Sequence, residues 1–237
     1  MELGLGDRVA LVTAASRGLG RGAALALARE GARVTVCARD PGRLAETAAE
    51  LPGEVLAIPV DVTHPDAPRR LVDATVERFG AMHVLVANAG GPPQARALEV
   101  DADGMHEAVN ANMMSSIRLV QAAVPHMRRA GWGRICLLTS YTIKQPIPTL
   151  AYSNAARTGL WAWAKTAAQD LIDDGITLNL VCPGLHATDR VRELGATGRM
   201  GDPEDFGRVV AFLCSEPAAF VSGAALQVDG AATLGLL

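Results

Sequence analysis

Four apolar residues, Val9 to Val12, run into the Gly-rich turn Thr13-Ala14-Ala15-Ser16-Arg17-Gly18-Leu19-Gly20, and an Ala-rich segment with helical character continues to Arg29. A buried strand, such a turn and a helix form a unit whose backbone N–H groups and helix N-terminus suit the pyrophosphate of a dinucleotide. Thr13, Ser16, Arg17, Gly18 and Leu19 are then the residues expected at the cofactor. The bland alternative is a surface turn between two packed elements. Charge near the turn bears on which dinucleotide fits. Sites for NAD usually place an acid after the second strand, to accept the ribose hydroxyls. Arg39 stands there instead, and Arg17 lies in the turn. Two guanidinium groups pair well with a 2′-phosphate, so NADP is expected ahead of NAD. Otherwise both arginines are solvated surface charges.

The elements that would position these groups follow a regular rhythm. Strands are expected at Val9–Val12, Val34–Ala38, Leu56–Val60, Val84–Ala87, Ile135–Leu138, Thr177–Val181 and Ala225–Val228. Helices are expected at 20–29, 41–51 with Asp40 as cap, 65–79 closed by Gly80, 101–127 with a break near Asn110–Asn112, 151–171 and 203–213. The strands lack strict apolar–polar alternation, as in a parallel sheet covered by helices on both faces. Right-handed crossovers then make an α/β, doubly wound arrangement with seven parallel strands. No linker or composition shift divides the 237 residues, so one domain spans 1–237.

The totals agree with a globular chain: 49% hydrophobic and 20% charged residues. A formal charge of −3 and scattered arginines give no reason to expect nucleic acid. Cys37, Cys136, Cys182 and Cys214 match no metal-ligand spacing and read as reduced core residues, so no metal is expected. With no signal peptide and no long apolar run, a cytoplasmic protein without membrane contact is expected.

The order of strands, helices and short motifs resembles the short-chain dehydrogenase/reductase family from about Gly6 to Gly230, and most of all its acyl-carrier-protein ketoreductase-like branch. The resemblance implies a Rossmann-type fold. The family usually opens TGxxxGxG; here Ala14 replaces the first glycine, while Gly18 and Gly20 stand. Asn88-Ala89-Gly90 looks like the NAG motif, which supports the sheet edge and lines the adenosine side. Asp61-Val62 look like the pair at the adenine. Pro183-Gly184 looks like the PG motif beside the nicotinamide, Thr188 like the residue holding its carboxamide, and Val228-Asp229-Gly230 like the closing VDG motif.

The family's chemistry uses a serine that orients the carbonyl and a tyrosine thirteen residues later that passes the proton. A lysine four beyond holds the ribose and lowers the tyrosine pKa. Ser140 matches the serine, but the next two places hold Ser153 and Arg157. Tyr152 stands one position early, with Ala156 four beyond it. The gapless register is preferred. Arg157-Thr158-Gly159-Leu160 and Lys165-Thr166 then fall in step with the family, and a cation stands at the lysine place. Tyr152 would reach the pocket only if the helix starts late and residue 152 is still extended. Asn112 looks like the asparagine that holds a water toward the lysine, with Asn110 the alternative. His186, in the loop beside the expected nicotinamide, is another candidate acid, but an exposed loop histidine is the more ordinary reading. The segment 188–201 is a short substrate lid, and Trp161 and Trp163 face different ways on their helix, one of them toward a partner subunit.

Three functions are weighed. One is an NADP-dependent oxidoreductase of a carbonyl or secondary alcohol, with 3-oxoacyl thioester reduction one candidate reaction and Ser153/Arg157 an altered relay. The second binds the dinucleotide with little turnover, as a structural or regulatory protein. The third binds no nucleotide. The partners implied are a small-molecule substrate and further copies of the chain, as a tetramer or dimer.

Overall fold

The computed structural model describes residues 1–236. The strands are β1 Val9–Val12, β2 Arg33–Ala38, β3 Val55–Pro59, β4 Val84–Ala87, β5 Gly133–Leu138, β6 Ile176–Pro183 and β7 Ala225–Val228. The helices are α1 Gly18–Arg29, α2 Pro41–Glu50, α3 Ala67–Phe79, α4 Ala102–Val109, α5 Ser115–Ala130, α6 Ala151–Leu171, α7 Asp189–Glu193 and α8 Pro203–Leu213. All seven strands pair parallel, in the order β3-β2-β1-β4-β5-β6-β7.

Successive strand residues point to opposite faces, and both faces are apolar. Ala10, Val12, Val84 and Val86 pack under α1, α2 and α8. Leu11, Leu85 and Ala87 pack under α3, α5 and α6. The α1–α8 crossing is close enough that a Cβ on Gly22 would collide with the Pro203 carbonyl. Local chemistry sets several boundaries. The Asp40 carboxylate accepts from the amides of Gly42 and Arg43 to start α2, and Gly80, at φ 80°, ends α3.

The expected break near Asn110–Asn112 is a π-helical turn over Asn110–Met114, joining α4 to α5. The short helix α7 lies inside the segment read from sequence only as a lid. The sheet order reverses direction between β1 and β4. That is the place where open parallel sheets bind ligands, outside the carboxyl ends of the strands.

Candidate active site

The Gly-rich turn is stitched to the neighbouring strand end. The Thr13 hydroxyl donates to the Asn88 carbonyl at 2.7 Å and accepts from the Asn88 amide at 2.8 Å. The Asn88 side-chain amide donates to the Ala14 carbonyl at 3.3 Å. A Cβ on Gly20 would collide with that carbonyl, so only glycine lets α1 leave the turn here. Thr47 of α2 donates its hydroxyl to the Ser16 carbonyl at 3.1 Å. Leu19 packs against the core beneath. Ala14 takes φ 48°, so the backbone keeps a left-handed conformation despite the added methyl group.

Beyond the turn, Arg39 is exposed and, among the described residues, has no carboxylate within 4.0 Å. Partial burial opposes the ionisation of Asp61. The Thr63 amide and hydroxyl, at 2.9 and 2.8 Å, and the Arg39 guanidinium outweigh it and hold the carboxyl below its usual value. Val62 beside it is buried. Arg17 is engaged differently: its Nη1 lies 3.5 Å from both the Asp189 and the Glu193 carboxylates of α7.

Helix α6 begins at Ala151, so Tyr152 is already helical and does not meet the condition for reaching the pocket. Its hydroxyl donates to the Asp101 carboxylate at 3.0 Å and accepts from the Asp101 amide at 3.2 Å. With only 6% exposure it packs beside Ala108 and Ala156 against α4. Ser153 and Arg157 are buried on the neighbouring stripe of the helix. Arg157 Nη1 donates to the carbonyls of Leu138 at 2.9 Å and Thr139 at 3.2 Å, immediately before Ser140. It is 7% exposed and, among the described residues, has no carboxylate partner. Burial pulls its pKa down to about 10, well below the usual arginine range. Ser140 itself accepts from the Thr142 amide at 3.2 Å, which shapes the turn after β5.

Asn112 donates its amide to the Gly90 carbonyl at 2.8 Å, while its buried Oδ1 has no partner. Asn110 is used up: it donates to the Thr63 carbonyl and accepts from Arg118. Gly184 packs on Asp229, leaving no room for a Cβ. Thr188 caps α7 by accepting from the Val191 amide at 3.4 Å, and a Cβ on Gly18 would lie 3.3 Å from its methyl carbon. His186 corrects the expectation of an exposed loop residue. It is buried, edge-on to Phe206 at 5.0 Å, with Nδ1 3.2 Å from the Gly184 carbonyl. That ring packs the loop onto α8.

These residues fit a dinucleotide. A Cβ on Gly90 would meet nothing within 4 Å, Gly18 holds φ 59° at the head of α1, and the Asn112 Oδ1 is left with an open acceptor. The sequence reading missed the partners of Arg17. The available signal was the spacing of Asp189 and Glu193, four apart and so on one helix face.

Comparison with known proteins covers the same ground. A family model described as "Enoyl-(Acyl carrier protein) reductase" matches residues 13–233. "Dehydrogenase/reductase SDR family member 4" of Sus scrofa is 30% identical over 95% of this chain and 87% of its own length. The chain belongs to the short-chain dehydrogenase/reductase family. That family is one of NAD(P)-dependent oxidoreductases, and the match along nearly the whole chain places this protein among them. A 3-oxoacyl-[acyl-carrier-protein] reductase of Synechocystis sp. is 33% identical over 94% of this chain and 96% of the relative. An L-sorbose reductase from Gluconobacter frateurii, solved with NADPH and L-sorbose, superposes with a TM-score of 0.92 at 30% identity, covering 99% and 100% of the two chains. Among the described residues, no helix of this short-chain dehydrogenase/reductase is long and apolar enough to cross a membrane.

Proposed function

We propose that this protein is an NADP(H)-dependent oxidoreductase of a carbonyl or secondary alcohol, working with Ser153 and Arg157 in the tyrosine and lysine places. One observation carries the reading. A buried cation with no carboxylate partner among the described residues, Arg157, sits at the end of β5 beside Ser140, at the same carboxyl end of the sheet as the Gly-rich turn. NADP(H) supplies a hydride donor or acceptor when bound. Thr13, Ser16, Gly18, Leu19, Asn88, Ala89 and Gly90 would line its path. Asp61 and Val62 would flank the adenine, Arg17 and Arg39 the 2′-phosphate, and Pro183, Gly184 and Thr188 the nicotinamide. The relatives solved with NADPH support this choice of cofactor.

Ser140 orients the substrate oxygen by a hydrogen bond. Arg157 supplies fixed positive charge, which favours a developing alkoxide. Its Nη1 hydrogens are spent on the Leu138 and Thr139 carbonyls, so proton delivery falls to solvent, relayed by the Ser153 hydroxyl, and slow turnover follows. The segment 188–201 acts as the lid. A 3-oxoacyl thioester is the first substrate to try, since several relatives are named for that reaction. The assembly is a cytoplasmic homo-oligomer of two or four copies, with Trp161 or Trp163 toward a neighbour.

A second reading, dinucleotide binding with little turnover, is favoured by Tyr152, whose hydroxyl is committed to Asp101. Fluorescence titration with NADPH and NADH tests the cofactor. A panel of ketones, ketoses and 3-oxoacyl thioesters tests turnover, alongside Ser153→Tyr/Arg157→Lys. The first reading expects tighter NADPH binding and measurable turnover in the native chain. Binding without turnover in the native chain, with turnover appearing in the double variant, supports the second. No response to either nucleotide sinks both.

A further inference from the structure

Helix α7 spans the two loops that border the ligand end of the sheet. On one side Asp189 and Glu193 hold Arg17 of the Gly-rich turn, each at 3.5 Å. On the other, Arg190 Nη2 donates to the Pro92 carbonyl at 3.0 Å, in the loop after β4. The Thr188 side chain, at the head of the same helix, lies against Gly18. The segment is pinned at its base, where the Ala187 amide donates to the Gly201 carbonyl at 2.9 Å and the Gly201 amide donates to the Leu185 carbonyl at 2.9 Å. An excursion tied at its root and held at its tip by side chains can swing as a unit when the tip contacts are lost.

The tip contact uses a guanidinium that the cofactor also needs. Arg39, the other cation assigned to the 2′-phosphate, has no carboxylate partner among the described residues. Arg17 is shared between two acids. A phosphate monoester carries close to two charges at neutral pH and accepts from a guanidinium through two oxygens, so it competes with two separate carboxylates at 3.5 Å.

We propose that Asp189 and Glu193 are built-in competitors for the 2′-phosphate site, so that a 2′-phosphate draws Arg17 away and loosens α7, which Arg190 still ties to the Pro92 carbonyl. The acids thereby lower affinity for the phosphorylated dinucleotide and couple recognition at its adenosine end to movement of the segment carrying Thr188. This rests on the assignment of Arg17 to the 2′-phosphate in the NADP(H) reading.

The probe is adenosine 2′,5′-bisphosphate, which has the 2′-phosphate but no nicotinamide to hold the segment. Hydrogen exchange is followed at the helical amides of α7 and the turn after it, Arg192 to Ala196. Exposed ion pairs are individually weak, so exchange is expected to speed by about two- to tenfold. Adenosine 5′-phosphate, which lacks the 2′ group, leaves it unchanged. Asp189→Asn/Glu193→Gln shows the fast exchange without ligand and binds NADPH about two- to tenfold tighter, while NADH affinity changes less. In an Arg17→Ala background the same two substitutions no longer alter the NADPH-to-NADH ratio. Unchanged or slower exchange with the bisphosphate, while native protein binds NADPH, overturns the competition and leaves the cofactor reading standing. Equal gains for NADPH and NADH also overturn it, as they would report general charge removal. No binding of NADPH or the bisphosphate to the native chain overturns both.

Discussion

Replacing Arg157 by methionine separates a functional cation from a structural one. Burial pulls the guanidinium pKa down to about 10, well below the usual arginine range. At 1.36 kcal/mol per unit, the charged form is disfavoured by about 3 kcal/mol relative to water, on an order-of-magnitude scale. The Leu138 and Thr139 carbonyls, which accept from the guanidinium, must be satisfied by other donors or water once it is gone. Replacing a buried ion pair by apolar residues is often neutral or stabilising by about 1–4 kcal/mol, and a lone buried cation carries the same kind of desolvation penalty. We therefore expect Arg157→Met to unfold in urea with a free energy equal to native or up to about 3 kcal/mol greater. NADPH affinity should fall at least about tenfold, for the loss of a charge-assisted contact. The sign of the pH effect follows. A cation with a lowered folded pKa makes the unfolded chain bind more protons at strongly alkaline pH, so native stability gains from this group as pH rises above about 10. The methionine variant lacks that gain. A variant destabilised by more than about 2 kcal/mol with unaltered NADPH binding would refute the reasoning, because Arg157 would then be a brace for β5.

Ala14→Gly relieves a left-handed alanine, worth about 1–2 kcal/mol, against about 0.4–1 kcal/mol of added chain entropy in the unfolded state. The expected result is native or slightly higher stability in urea, with NADPH affinity equal or improved; clear destabilisation would show that the methyl group packs usefully. Tyr152→Phe should lower the melting temperature modestly and raise the Asp101 pKa toward its ordinary value, since that carboxyl is held down first by the Gly104 amide and then by the phenol. NADPH binding should not change, and loss of binding would return Tyr152 to the site. His83 accepts from the Val9 amide and is held neutral by burial and by Arg8 and Arg33, so its folded pKa is lowered from 6.5. Its contribution is fully present above pH 6.5 and is lost as pH falls toward the folded value, with His126 acting in the same sense. A shallower loss of urea stability below pH 6.5 in His83→Gln checks this, and an unchanged slope would contradict it.

The sequence alone was enough for the sheet and the turn that serves it. Apolar runs such as Val84–Ala87 leave no wet face, so they demand helices on both sides, and short-range chemistry at Asp40 and Gly80 marks helix ends wherever they occur. Counted without a gap from Ser140, the sequence puts Ser153 and Arg157 at the places where the resemblance implies a phenol and an amine. Where Tyr152 points was decided only in three dimensions, because neighbouring residues on a helix diverge by about 100° and the start of α6 fixes which stripe faces α4 and which faces β5. His186 was likewise ambiguous: loop composition gives exposure as the default, and only the packing of the loop on α8 buries its ring against Phe206. The partners of Arg17 lie 172 and 176 residues along the chain, at positions 189 and 193, so charge alone made the arginine a cation without saying what it holds. Hydrophobic periodicity is local and survives in one dimension, whereas the pairing of single polar groups depends on which distant segments the folded sheet brings within a few ångströms.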